Sequence, residues 1–199
     1  MLASGHGHTE VVTALLACPA VFESAGAVSA SGETALMLAV WQGCVKTVTA
    51  LLACPAVVAS AGVVNNAGNT ALMIALINGQ TRTVNALLVC PEVVSFTGVV
   101  NNNGSTALML AVMRGPVETV TALLACPEVV ASAGVVNNDG CTALMLAVMR
   151  EHVETVEALL CCPAVVATMG VANNGFSVLM IAEQIGHARM VQLLRACNE

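Results

Sequence analysis

The sequence predicts an all-α solenoid of helix-turn-helix units with short β-turn or hairpin connections. Three observations carry that prediction. Cys18, Cys54, Cys90, Cys126 and Cys162 recur every 36 residues, inside "TALLACP", "TALLACP", "NALLVCP", "TALLACP" and "EALLCCP". A second marker keeps the same period: "TALM" at Thr34, Thr70, Thr106 and Thr142, then "SVLM" at Ser177 after a one-residue deletion. Between the markers lie apolar segments of helix length bounded by capping residues. A period of this size means repeated supersecondary units that bury their apolar faces against one another.

One unit, residues 106–141, shows how each element is encoded. Thr106 is a good N-cap for "ALMLAVMR", and Gly115 offers a C-cap. "PVETVTALLAC" opens with Pro116 at a first-turn position and places Val117, Val120, Leu123 and Leu124 on one face. Cys126 precedes Pro127, and a residue before proline is pushed out of the α region, so the second helix ends there. "PEVVASAG" is expected to form a short extra turn begun by Pro127 and ended at Gly134. "VVNNDGC" then runs extended into a tight turn; Asn103-Gly104, Asp139-Gly140 and Asn174-Gly175 are strong turn dipeptides. The repetition covers the chain as a single repeat domain, 1–199. It divides into a partial repeat 1–33, full repeats 34–69, 70–105, 106–141 and 142–176, and a C-terminal capping partial repeat 177–199.

Composition sets the function classes. Of 199 residues, 57% are hydrophobic, 9% charged and 2% aromatic, against about 25% charged in ordinary soluble domains. The apolar runs are nonetheless too short to span a bilayer, which takes ~20 residues. The longest, 48–64, is broken by Pro55 and Gly62. A net charge of −6 with six Lys and Arg argues against an electrostatic footprint on nucleic acid or an anionic membrane. "MLASGHGHTE" shows no secretory signal, which empties the Asn103-Gly104-Ser105 sequon of meaning. Nine cysteines in an unsignalled chain point to a reducing, intracellular and cytoplasmic setting.

The order of these motifs resembles the ankyrin repeat, whose pattern is G-x-T-P-L-x-x-A-x-x-x-G-H followed by a V-x-x-L-L helix. Gly32, Thr34, Leu36, Ala39, Gly43, Val48, Leu51 and Leu52 fit one unit, and Gly68, Thr70, Leu72, Ala75, Gly79, Val84, Leu87 and Leu88 the next. The Gly-His pair stands as Gly7-His8 and Gly186-His187; Cys44, Gln80, Pro116 and His152 fill the His slot elsewhere, and Glu151 replaces the glycine. Alanine replaces the proline after Thr throughout. Three residues beyond the family's usual length fall in the "CPEVVASAG" segment, and "VVNN" replaces the familiar D-V-N of the β-hairpin finger. The resemblance implies an ankyrin-type solenoid that binds another protein through a concave surface. That surface is made by the turn tips and the inner face of each first helix.

The internal copies differ mainly at those places. The turn tips carry Ser31, Ala67, Asn103, Asp139 and Asn174, and two residues on Glu33, Asn69, Ser105, Cys141 and Phe176. The ends of the first helices carry Trp41-Gln42, Ile77-Asn78, Met113-Arg114, Met149-Arg150 and Gln184-Ile185. The candidate partner-binding residues are therefore Glu33, Trp41, Gln42, Asn69, Ile77, Asn78, Ser105, Met113, Arg114, Cys141, Met149, Arg150 and Phe176. In register, Trp41, Ile77, Met113 and Met149 would form an apolar stripe beside a polar and basic one; Met, Trp and Arg suit contact surfaces. The competing reading packs them inward on Met37, Met73, Met109 and Met145.

No catalytic, cofactor-binding or metal residues are expected. There is no Walker loop, no G-x-G-x-x-G, no nucleophile elbow and no C-x-x-C. Equivalent cysteines on stacked helices lie about 8–10 Å apart, beyond the ~7 Å reach of a disulfide, so the ladder reads as small buried apolar residues closing the second helices. Vicinal Cys161-Cys162 and turn-tip Cys141 read as free thiols. His6, His8 and Glu10 could suggest a metal, but His8, like His152 and His187, already has a place in the repeat.

The last unit shows a polar outer face in Glu183, Gln184, His187, Arg189, Gln192 and Arg195, with Arg195 where other units have their second Leu. The amino end, where Met1-Leu2-Ala3 aligns with Met37-Leu38-Ala39, has no equivalent, which predicts a fragment of a longer or formerly longer array. The function expected is a monomeric protein-interaction module, not an enzyme. A membrane-associated protein and a passive spacer of a larger protein are the alternatives.

Overall fold

The computed structural model describes residues 1–197. It groups into two compact units, Met1–Asn102 and Asn103–Glu199.

The first unit holds three helix triplets. They are α1 (Leu2–Gly5), α2 (Thr9–Leu16) and α3 (Pro19–Glu23); α4 (Ala35–Trp41), α5 (Val45–Leu52) and α6 (Pro55–Val58); and α7 (Ala71–Ile77), α8 (Thr81–Leu88) and α9 (Pro91–Val94). First helices pack on first helices, α1 on α4 and α4 on α7, while α2 packs on α5 and α5 on α8. The second unit repeats the plan with α10 (Ala107–Arg114), α11 (Val117–Leu124) and α12 (Pro127–Ala131), then α13 (Ala143–Met149), α14 (Val153–Leu160) and α15 (Pro163–Val166). A hairpin of β1 (Ala172–Asn173) and β2 (Phe176–Ser177) leads into α16 (Val178–Ile185) and α17 (Ala188–Ala196). There α10 packs on α13 and α13 on α16, with α11 on α14 and α14 on α17.

The "TALM" marker is a cap and a core residue in one. The hydroxyls of Thr34, Thr70, Thr106 and Thr142 accept the N–H of Met37, Met73, Met109 and Met145 at 3.2–3.3 Å. Each such cap stabilises its helix by about 1 kcal/mol. Those four methionines, with Leu36, Leu72, Leu108 and Leu144, are fully buried. Second helices bury Val48 and Leu51, Val84 and Leu87, Val120 and Leu123, Val156 and Leu159.

Between the two helices, Gly43 and Gly79 adopt φ of +65° and +64°, the left-handed stop that glycine tolerates. Gly115 does not. Pro116 behind it disfavours helical φ and ψ, so Gly115 is an extended C-cap and α10 runs one residue longer than α4, α7 and α13. Pro116 itself sits at the N-cap of α11 rather than inside its first turn.

The "CPEVVASAG" segment is ordered by its proline. Cys54, Cys90, Cys126 and Cys162 are extended, and the following proline starts a single helical turn. One valine per turn, Val57, Val93, Val129 or Val165, is buried. Burying it stabilises by about 1.5–3 kcal/mol relative to exposure. The cysteine ladder departs from expectation here: Cys54 is buried, Cys18 is exposed, and Cys90, Cys126 and Cys162 lie between. The valine is the repeated anchor, because the extended residue before proline directs its side chain to the edge of the turn.

The fingers use two kinds of turn. In unit 1 the Asn65 N–H donates to the Asn69 carbonyl at 3.0 Å and the Gly68 N–H to the Asn65 carbonyl at 2.8 Å. This closes a three-residue loop with Gly68 at φ +76°. Asn137, Gly140 and Cys141 repeat the pattern in unit 2. In the last finger, one residue shorter, Asn173 pairs with Phe176 across Asn174 (φ +50°) and Gly175 (φ +84°). That is the two-residue turn with both central residues left-handed.

Candidate functional site: finger tips and first-helix ends

In one repeat of each unit, the residue two positions past the tip residue meets the residue eight further on. In unit 1, Trp41 Nε1 donates to Glu33 Oε1 at 3.1 Å. The indole is 47% exposed. Ser31 Oγ reaches Glu33 Oε2 at 3.4 Å and Ser29 Oγ at 2.8 Å, so the carboxylate is held from two sides. Gln42 and Asn78 are exposed, and Ile77 is half-buried. Asn69 is half-buried and its Oδ1 accepts from Asn101 Nδ2 at 3.0 Å.

In unit 2 the corresponding pair is Cys141 and Met149, with Sγ and Sδ 4.0 Å apart. Met149 is 51% exposed. Arg114 and Arg150 are exposed, and Met113 is half-buried. Phe176, on the shortened finger, is exposed.

Two candidates are corrected. Ser105 is 6% and Cys141 3% exposed, so neither side chain is presented at the surface. The three-residue loop returns the chain beneath the finger: Asn137 Oδ1 accepts the N–H of Cys141 at 2.8 Å, and Asn173 Nδ2 donates to Cys141 Sγ at 3.0 Å. Nor does the inward packing of Trp41 and Met149 occur, since both are about half exposed.

Reasoning from sequence missed the asparagines that build the fingers. Asn65 Oδ1 accepts the N–H of Ala67 and of Asn69, each at 3.0 Å. Asn137 Oδ1 does the same for Asp139 and Cys141. The signal was the first Asn of "VVNN", with Ser29 at the same place in the first finger, where its Oγ accepts the Glu33 N–H at 3.1 Å. Successive fingers join through backbone: Asn66 N–H to the Ser31 carbonyl and Asn102 N–H to Ala67 in unit 1, and Asn138 N–H to Asn103 in unit 2.

The His slot also acquires a physical role. Thr47 Oγ1 donates to Cys44 Sγ at 3.1 Å and bonds Thr9 Oγ1 at 2.8 Å. These contacts, the Thr47 hydroxyl first, hold the Cys44 thiol below its ordinary range, with Lys46 helping. Burial pushes Cys90 and Cys126 up instead, assisted by Glu92 and Glu128. Where Pro116 fills the slot, the buried hydroxyl of Thr119 has no hydrogen-bond partner. His187 Nδ1 accepts the Met190 N–H at 3.4 Å, capping α17.

Elsewhere in unit 1, a groove of about 700 Å³ runs along the second-helix side, lined by Leu52, Pro55, Val58, Val89 and Pro91 among others. Among the described residues, no group of three or more His, Cys, Asp and Glu could hold a metal. No helix among them is long and apolar enough to cross a membrane.

The family model for ankyrin repeats matches in three copies, at residues 1–61, 53–132 and 125–199. The chain belongs to the ankyrin repeat family, whose members are generally non-enzymatic protein-interaction modules. A search of curated protein sequences returns no match. Solved structures share the fold. An ankyrin repeat domain from Acinetobacter baumannii AYE is 22% identical with a TM-score of 0.81, covering 99% of this chain and 96% of that one. A chain in the complex of a predatory endopeptidase from Bdellovibrio bacteriovorus with an immunity protein is 22% identical, TM-score 0.74, covering 98% and 95%. The ankyrin repeat domain of Bcl-3, of the IkappaB protein family, is 25% identical, TM-score 0.76, covering 94% and 77%.

Proposed function

We propose that this chain is a non-catalytic interaction module that binds another protein on the side carrying the finger tips and first-helix ends. The observation that supports it most is the placement of Trp41 and Met149. At equivalent positions of two repeats, a large apolar side chain stands about half exposed beside its own finger. Isolated exposed apolar residues are ordinary, but here they recur at one repeat position, and Trp is enriched at binding hot spots. A surface already held by caps and loop bonds loses little conformational entropy on binding. The binding residues are Glu33, Trp41, Gln42, Ile77 and Asn78 in unit 1, with Asn69 as support, and Met113, Arg114, Met149, Arg150 and Phe176 in unit 2. One of the similar solved chains comes from a complex of two proteins, the Bdellovibrio endopeptidase and an immunity protein. The chain acts as a monomer in a reducing, intracellular compartment, a setting consistent with nine free thiols.

The test is affinity capture with mass spectrometry, comparing the natural chain with the Trp41→Glu/Met149→Glu variant. Both changes lie on exposed side chains, so circular dichroism should be unchanged while partner proteins are lost. Retention of the same proteins by the variant would overturn the reading in favour of a passive spacer. Light scattering checks the monomer.

A further inference from the structure

The second unit contains four arginines, Arg114, Arg150, Arg189 and Arg195. Arg189 is paired with Glu157, joining α17 to α14, and Arg195 with Glu183 at 2.6 Å, joining α17 to α16. Arg114 and Arg150 are exposed and enter no ion pair among the described residues. They hold equivalent places, 36 residues apart, at the ends of α10 and α13, two helices that pack on one another. Each directly follows a methionine with exposed surface, Met113 or Met149. The acids nearest in sequence, Glu118 after Arg114 and Glu151 and Glu154 after Arg150, make no ion pair with them among the described residues, and Asp139 at the finger tip accepts from Asn137 Nδ2 at 3.4 Å. The equivalent positions in unit 1 are Gln42 and Asn78, which carry no charge. In a chain of net charge −6, two arginines in no ion pair among the described residues stand beside two methionines, a surface that combines cationic and apolar groups.

We propose that this side of unit 2 docks an acidic segment of a partner protein, with carboxylates on Arg114 and Arg150 and apolar side chains on Met113 and Met149. This rests on the reading that the finger side is the binding surface. The guanidinium is planar and matches a carboxylate with two parallel hydrogen bonds, and its weak hydration eases the desolvation that docking requires. The methionines adapt to the shape of what lies between the charges. Equivalent residues on packed helices stand about 8–10 Å apart. An extended segment rising about 3.3 Å per residue spans that with carboxylates three residues apart.

The experiment selects short random peptides displayed on phage against the whole chain at low ionic strength. Selected sequences should be enriched in Asp and Glu, spaced about three apart. A selected peptide, synthesised and labelled, should bind the natural chain at least about tenfold more tightly than the Arg114→Glu/Arg150→Glu variant. Arg114→Lys/Arg150→Lys should fall between them. Circular dichroism confirms that the variants fold. Peptides that depend on Trp41 and Met149 but show no acidic enrichment would overturn this inference and leave the proposed function standing. Acidic peptides indifferent to Arg114 and Arg150 would overturn it equally, and no selectable peptide at all would count against both.

Discussion

Trp41 and Glu33 are joined by an indole-to-carboxylate hydrogen bond of 3.1 Å across eight residues, tying the end of a first helix to its own finger. The chain has one tryptophan, so this contact can be watched directly. Glu33→Ala frees the indole: its fluorescence anisotropy decay should gain a fast component. Global stability should move by no more than about 0.5 kcal/mol, as for most surface changes. An unaltered decay would mean that the carboxylate does not orient Trp41.

Glu151 occupies the slot that Gly43 and Gly79 fill elsewhere, at φ +56°. A side chain there crowds the following carbonyl and costs about 1–2 kcal/mol. Glu151→Gly should therefore stabilise the protein by about 1 kcal/mol in urea unfolding, after the greater backbone freedom of unfolded glycine is offset. Loss of stability would show that the left-handed residue is not strained.

Thr47 and Thr119 form a matched pair. Thr47 spends its hydroxyl on Cys44 and Thr9, whereas the hydroxyl of Thr119 is buried without a hydrogen-bond partner. Leaving such a group unpaired costs roughly 1–3 kcal/mol. Thr119→Val should raise stability by about 1 kcal/mol and Thr47→Val lower it by a similar amount. Equal effects of the two substitutions on the unfolding midpoint would refute the account.

The Cys44 thiol is held below the ordinary thiol range, chiefly by the Thr47 hydroxyl, while burial holds Cys90 and Cys126 above it. Peptide-resolved alkylation with iodoacetamide should label Cys44 at lower pH than the other two, since the thiolate is the nucleophile. Thr47→Val should narrow the difference. A depressed native pKa favours the thiolate when folded. The contribution of Cys44 is thus full above the ordinary thiol value and is lost as pH falls through the lowered one. Cys90 and Cys126 act in the opposite sense: their contribution is full below the ordinary value and is lost as pH rises through their raised ones.

The helices and caps were legible in the sequence because they depend on neighbours in the chain. Thr34 and Met37, or Cys126 and Pro127, state their geometry within four residues. Residue exposure at the fingers was not legible in the same way. Glu33, Asn69, Ser105, Cys141 and Phe176 share one slot, yet their exposure runs from buried to half exposed. It depends on how the loop folds back over the asparagine side chain, and in the last repeat on a turn shortened by one residue. The cysteine ladder misled for a related reason. Its strict period reflects the geometry before proline, while the buried contact is made by the valine three residues later. The two free arginines needed both the helix pairing and the ion pairs of Arg189 and Arg195 to stand out.

Three of the bonds that join one finger to the next, Asn66 to Ser31, Asn102 to Ala67 and Asn138 to Asn103, run through peptide groups, while asparagine amides such as that of Asn101 add side-chain links. The backbone part of the connection therefore carries no memory of which side chains flank it. Any copy that keeps its own cap, its asparagine and its glycine can be spliced beside any other. An unequal exchange at a 36-residue boundary would lengthen, shorten or reorder the array while leaving these backbone junction bonds intact. Novelty could then accumulate at Trp41, Met149 and their neighbours without renegotiating the fold that carries them.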